Sequence, residues 1–260
     1  MIIFNADDYA LTKIDLVRVN NSIPNKIIQS STAVANGSEI IFPSNLHSIS
    51  TGIHINLVEG HSLTMPHSLT DENGCFLTKS ELFKRITFGR VCTRELEREI
   101  AAQFETLFEI GISISHIDSH QNIHIAPPIL QAIIRVGEEF KVRKIRGQRS
   151  EYKWFGSHNK IKAHIKNVFS TYWQSLLPKH WITTGRIILN APGLGQHVTS
   201  INAAVSMWEL AINRFYSPNL VYEVPCHLCL SNFEFELYNS SQFSNMIKRN
   251  QVKIGSYHDI

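Results

Sequence analysis

Two adjacent acids, Asp7 and Asp8, follow the apolar run Ile2-Ile3-Phe4 within the stretch Asn5-Ala6-Asp7-Asp8-Tyr9. If the strand predicted there continues, the two carboxylates point to opposite sides; if the chain turns, both can enter one site. The same residues could instead cap a helix and supply its acidic first turn. Further on, Gly52-Ile53-His54-Ile55-Asn56-Leu57 alternates strictly, which sets His54 and Asn56 on one face and Ile53, Ile55 and Leu57 on the other. Taken alone, a histidine in a strand is more often a hydrogen-bonded core residue than a metal ligand. The densest stretch runs from Ser115 through His116, Asp118 and His120 to His124, preceded by Ile112 and Ile114. Strand periodicity puts Ile112, Ile114, His116, Asp118 and His120 on one face, so an apolar face turns polar towards the end of the strand. A helix would stack His116, His120 and His124 at intervals of four, but Ser113, Ser115 and Pro127-Pro128 argue against a long helix there. An acid with several histidines suits a catalytic divalent ion that keeps coordination positions open for water and substrate, and the nitrogen content favours zinc, cobalt or nickel over magnesium.

These residues need a scaffold that brings strand ends together. Short β-rich runs at 2–6, 31–36, 51–57, 112–120, 141–145, 186–190, 220–225 and 252–257 alternate with amphipathic segments, a rhythm that predicts βα units around a parallel sheet. The clearest predicted helix is 94–110, where Leu96, Ile100, Phe104, Leu107 and Phe108 share a face and Glu95, Glu97 and Glu99 stand near the start. Pro127-Pro128 opens another over about 129–140, and further helices are predicted over 161–176 and 201–214. Two long irregular loops, 60–79 and 147–159, are candidates for substrate contacts if the fold is a βα barrel.

A chain of 260 residues, 43% hydrophobic and 18% charged, has ample material for one large core, and no linker or repeat divides it. One domain over 1–260 is therefore expected. A net charge of +3 is too small to suggest nucleic acid or an anionic membrane as partner. The opening residues lack a basic leader, and no apolar stretch reaches the ~18 residues of a membrane span, so a cytoplasmic location is expected. Cys75, Cys92, Cys226 and Cys229 are too few and too irregularly spaced for a disulfide framework. Cys226-His227-Leu228-Cys229 is a lone C-x-x-C, with no second pair to complete a zinc site. The cluster Lys141, Arg143, Lys144, Arg146 and Arg149 reads as a solvated basic face, with binding of an acidic sugar or phosphate as the lesser reading.

Three stretches, Asn5-Ala6-Asp7-Asp8-Tyr9-Ala10, Gly52-Ile53-His54-Ile55-Asn56-Leu57-Val58-Glu59-Gly60 and His116 to His124, together resemble the motifs of the YdjC-type carbohydrate deacetylases, which include chitooligosaccharide deacetylases. More weakly, Tyr222-Glu223-Val224-Pro225-Cys226-His227 is similar to that family's late Glu-x-x-x-His segment, and Val252 to Asp259 to its final strand. Three positions depart from the pattern: Ala10 replaces a glycine, Asn122 a histidine, and Leu228-Cys229 a Pro-Gly pair. The resemblance implies a distorted (β/α) barrel of the TIM-barrel type and hydrolysis of the acetamide of an N-acetylated sugar. It implies one divalent ion, magnesium or zinc, on Asp8, His54 and His120, with Asp7 as base. His227 is the candidate acid on the amine side. Asp118, with His116 and His124, is expected behind the ligands, orienting an imidazole. Another metal hydrolase, such as a phosphoesterase, and a non-catalytic sugar-binding relative are the alternatives, and the oligomeric state is left open.

Overall fold

The computed structural model describes residues 1–37, 48–148, 160–186, 198, 200–228 and 232–260. Among the described residues eight strands form one sheet: β1 (Ile2–Tyr9), β2 (Ile28–Ala33), β3 (Ser50–Ile55), β4 (Ile117–Ser119), β5 (Lys144–Ile145), β6 (Ile182–Thr183), β7 (Gly185–Arg186) and β8 (Tyr222–Cys226). Their spatial order is β6-β5-β4-β3-β2-β1-β8-β7, and each neighbouring pair is parallel. The two edge strands, β6 and β7, are separated in sequence by Thr184 alone. The sheet therefore curls round until both edges belong to one stretch, which makes the distorted α/β barrel that the resemblance implies and agrees with the predicted βα units.

Helices α1 (Lys13–Ser22), α2 (Lys79–Thr87), α3 (Thr93–Glu109), α4 (Pro127–Glu139), α5 (Lys160–Ser175) and α6 (Ile201–Phe215) lie between strands, and α7 (Asn232–Asn239) and α8 (Ser241–Arg249) follow β8. The four helices predicted from periodicity are α3 to α6, each within two residues of expectation. The shorter α1, α2, α7 and α8 were not predicted. Two of them carry a local signal: Thr12 accepts from the Asp15 N–H in a capping box that opens α1, and Thr78 accepts from the Glu81 N–H at the start of α2.

The barrel wall sorts by side. Outward-facing Phe4 packs its ring on Trp208, Tyr238 and Phe243 at centroid distances of 5.7, 5.3 and 5.8 Å, and Ile28, Ile53, Ile117, Ile145 and Val224 are likewise fully buried. The interior, which branched aliphatics fill in many such barrels, is polar here. Ser30 donates to Asn5 Oδ1 (2.6 Å), Asn5 Nδ2 to Thr32 (3.1 Å), Ser50 to Ser30 (3.0 Å) and Thr32 to Asp118 (2.9 Å). This explains why the predicted β2 was displaced to 31–36: Ile28-Gln29-Ser30-Ser31-Thr32-Ala33 lacks the apolar alternation of a strand whose inner face is dry.

Other strands are shorter than predicted. Of 112–120 only Ile117–Ser119 pairs as strand, and 252–257 contributes one bridge, Ile254 with Ile2, in place of a strand. β6 was not predicted, and residues 187–190 of the predicted strand 186–190 lie outside the described residues, as do 149–159 of the second loop. Loop 60–79 is held to α3 by acids on that helix. Buried Glu99 accepts from the N–H groups of Leu63 (3.0 Å) and Thr64 (2.9 Å), and Glu95 from that of Ser68 (2.8 Å).

Candidate metal and catalytic site

β1 resolves the ambiguity of the paired acids. Its register against β2 shifts between Ala6 and Tyr9, and Asp8 takes a left-handed conformation at φ 62°. That local kink brings two consecutive carboxylates to the same end of the barrel instead of opposite faces. Ala10, where the similar family has glycine, is also left-handed at φ 66°. An alanine there carries a steric penalty that glycine would avoid.

Asp8 Oδ1 lies 3.0 Å from His54 Nε2 and 2.7 Å from His120 Nδ1. Each of these three buried residues offers a ligand atom, all within 4.8 Å of one another, so Asp8, His54 and His120 could hold a metal ion. The donor chemistry fits: two imidazoles and one carboxylate make a three-ligand set with room for water and substrate. Asp7, His54 and Asp118 also meet the distance criterion, but the carboxylates of Asp7 and Asp118 are both taken up by Arg146.

His54 is oriented from behind. Its Nδ1 lies 2.5 Å from Asp118 Oδ1 and 3.2 Å from the Thr32 hydroxyl, which leaves Nε2 facing Asp8. Two residues earlier, Gly52 lets the His116 ring pack against β3, since a Cβ there would stand 2.5 Å from that ring. Burial by itself would lower the His54 pKa, but the Asp118 charge and hydrogen bond, aided by Asp8, raise it to about 10. For Asp8, burial would raise the pKa, yet hydrogen bonds from His120 and His54 hold it well below the carboxylate range.

His120 leaves β4 at the start of a 3-10 segment, His120–Ile125, broken by left-handed Gln121 and Asn122 at φ 51° and 55°. Its Nε2 is 2.9 Å from Glu59 Oε2, a partner that sequence reasoning did not single out. Asn56 builds the turn that presents Glu59: its side-chain oxygen accepts from the N–H groups of Val58 and Glu59, and its amide donates to the Glu59 carbonyl (2.8 Å).

The largest correction concerns Arg146. The basic-cluster reading made it solvent-facing, but it is 1% exposed at the centre of the barrel. Its guanidinium grips Asp7 through both terminal nitrogens (2.7 and 2.6 Å), reaches Asp118 Oδ2 (2.7 Å), and donates from Nε to Glu223 Oε1 (2.7 Å). For Asp7, burial would raise the pKa, but the Arg146 charge and hydrogen bonds hold it far below the ordinary value. Elsewhere in the cluster, Arg143 pairs with Glu138 (2.8 Å) and Lys144 donates to the Tyr257 carbonyl (2.6 Å); Arg149 lies outside the described residues.

His227, part-exposed, sets Nε2 3.8 Å from Asp7 Oδ2, and its backbone N–H donates to Glu234 (2.9 Å). The barrel thus brings Asp7, Asp8, His54, Asp118, His120 and His227 into one group. His116 lies deeper, its ring stacked on Tyr257 at 3.5 Å and its Nε2 3.2 Å from Asn5 Oδ1; Asn5 in turn donates to Asp7. Burial, reinforced by the Arg146 charge, pushes the His116 pKa well below its usual value. His124 turns to the Ser119 hydroxyl (2.5 Å) and to Gln148, away from the three candidate ligands. Cys226 is buried with its thiol pKa pushed up by burial, and Cys229 lies outside the described residues. Among the described residues no helix is long and apolar enough to cross a membrane.

Comparison with known proteins places this geometry in context. A family model described as YdjC-like protein matches residues 1–250. A carbohydrate deacetylase of Vibrio campbellii is 27% identical over 248 residues, covering 87% of this chain and 92% of its own. A chitooligosaccharide deacetylase of Yersinia pestis is 30% identical over 161 residues, 60% of this chain and 62% of its own. In fold, the chain resembles the crystal structure of a candidate cellobiose-phosphate cleavage protein from Enterococcus faecalis, with a TM-score of 0.72, 18% identity, and coverage of 99% of this chain and 97% of the other.

Proposed function

Since the chain belongs to the YdjC-like family, we propose that it is a metal-dependent deacetylase that hydrolyses the acetamide of an N-acetylated carbohydrate, working as one domain over residues 1–260. The observation that carries the reading is the convergence of Asp8, His54 and His120 within 4.8 Å, beside a carboxylate, Asp7, that is not one of the three. Similarity to enzymes named for deacetylation of carbohydrates supports the reaction class.

A divalent ion held by Asp8, His54 and His120 would supply Lewis acidity to the acetyl carbonyl and to the attacking water. Asp7, kept ionised by Arg146, takes the proton from that water as its oxygen bonds to the carbonyl carbon. His227 gives a proton to the sugar nitrogen as the C–N bond breaks, so the products are acetate and a free amine. Asp118 holds His54 by Nδ1, so Nε2, which faces Asp8, is the nitrogen that would bind the ion once deprotonated. A phosphoester-cleaving site would want basic side chains turned to substrate, whereas Arg146, Arg143 and Lys144 are engaged with carboxylates or backbone.

The test is acetate release from a panel of N-acetylated mono- and oligosaccharides, run beside p-nitrophenyl phosphate. The reading predicts acetate from at least one sugar and no phosphate release. Phosphate release without acetate would overturn it.

A further inference from the structure

Tyr257 comes from the segment after α8 but stands inside the barrel, fully buried. Four positions around the wall fix it. Its N–H donates to Ser50 Oγ on β3 (3.1 Å), its carbonyl accepts from Lys144 on β5 (2.6 Å), its ring stacks on His116 ahead of β4 with an interplanar angle of 7°, and its hydroxyl donates to Glu223 Oε2 on β8 (2.5 Å). A residue needed only to fill space would not require the hydroxyl, because Met1 and Ile3 pack with the ring in an apolar cluster.

The hydroxyl is the first member of a continuous chain. Glu223 Oε2 receives Tyr257 and the Thr184 hydroxyl (2.7 Å), and Glu223 Oε1 receives Arg146 Nε. The two terminal nitrogens of the same guanidinium hold Asp7 and Asp118, and Asp118 holds His54 Nδ1. A guanidinium is planar, so tilting its Nε edge moves the terminal nitrogens with it. Whatever sets the Glu223 carboxylate therefore sets, through one rigid group, the positions of both Asp7 and the His54 ring.

We propose that Tyr257 and Thr184 are positioning residues for the reaction: their hydroxyls fix Glu223, and Glu223 fixes the plane of Arg146 and with it Asp7 and His54. The assignment rests on the deacetylase reading for its kinetic consequence, but its structural consequence can be read without turnover.

The experiment uses Tyr257→Phe, which keeps the ring and the backbone contacts, with Thr184→Val and the double variant, in the full chain. Kinetically, kcat for acetate release falls about 10–100-fold in Tyr257→Phe, the usual cost of losing a partner that orients a site. KM and metal stoichiometry stay at wild-type values, the double variant falls by less than the product of the singles, and Thr184→Ser recovers wild-type kcat. Separately, in metal-free protein, the low-field proton NMR signal of the His54 Nδ1–H, identified by its loss in His54→Gln, shifts in Tyr257→Phe. An unmoved signal in a folded Tyr257→Phe protein overturns the proposal, as does an unchanged kcat. Absence of acetate release in the wild type would instead overturn the deacetylase reading, and the NMR arm would still decide the role of Tyr257.

Discussion

Arg146→Met tests the buried cluster at its centre. The wild-type guanidinium is surrounded by three carboxylates, Asp7, Asp118 and Glu223, each less than a tenth exposed and each within 2.7 Å of one of its nitrogens. Methionine fills much of the same volume but leaves Asp7 and Glu223 without the guanidinium and Asp118 with the His54 imidazolium alone. Breaking a buried pair by removing one partner costs about 3–5 kcal/mol, a large share of the roughly 5–15 kcal/mol that holds a domain folded. The loss should also depend on pH. With Arg146 present, Asp7 is held below its ordinary range; without it, burial is opposed only by the weaker His227 and His54 charges and raises the folded-state pKa above the unfolded one. The variant then gains stability as pH falls towards the unfolded carboxylate pKa, because its folded state binds more protons than its unfolded state. Urea titrations followed by circular dichroism at pH 7 and pH 5, on metal-free wild type and variant, measure both quantities. A loss under about 1 kcal/mol at pH 7, or a gap that does not narrow at pH 5, would refute the reasoning, since either would mean the acids are not left as uncompensated buried charges.

Asp7→Asn should keep the bound metal and lose most turnover, whereas Asp8→Asn should lose metal affinity; equal metal loss by elemental analysis in both would remove the distinction between base and ligand. In metal-free protein the His54 pKa stands above its ordinary 6.5, at about 10. Its contribution to stability is therefore complete below pH 6.5 and lost as pH rises through about 10. Metal-free wild type should lose more of its thermal stability across that window than metal-free His54→Gln, as differential scanning calorimetry would read. Ala10→Gly should stabilise the fold by up to about 1 kcal/mol, because φ 66° suits glycine; a destabilised variant in chemical denaturation would show that Ala10 contributes packing that outweighs its backbone penalty.

What the sequence discloses follows from what is local. Alternation within Gly52 to Leu57 and the polar turn after Ile117 put His54 and His120 at strand ends, and the 3.6-residue repeats of α3 to α6 are long enough to be unambiguous. Arg146 escaped because it sits among Lys141, Arg143 and Lys144, and a basic run has the look of a solvated surface whether or not the sheet closes over it. A weak signal was present: Lys144 and Arg146 flank Ile145 on a strand, so outward burial of Ile145 sends both basic side chains inward. Thr184, Glu223 and Tyr257 lie far apart in the chain and meet only because the barrel brings the residue after β6, β8 and the segment after α8 together, while Glu59 reaches His120 because β3 and β4 are neighbours. Asp7 and Asp8 were legible as chemistry, but their delivery to one site depended on a left-handed residue inside a strand, which no side-chain pattern announces.

The most direct measurement is acetate release by metal-free protein as a divalent metal is titrated in, with a substrate drawn from the N-acetylated sugar panel. If Asp8, His54 and His120 form the one catalytic metal centre, acetate release is absent after chelation and rises linearly to a break at one equivalent of metal. Full release from the metal-free protein, or an end point at two equivalents, would contradict that account.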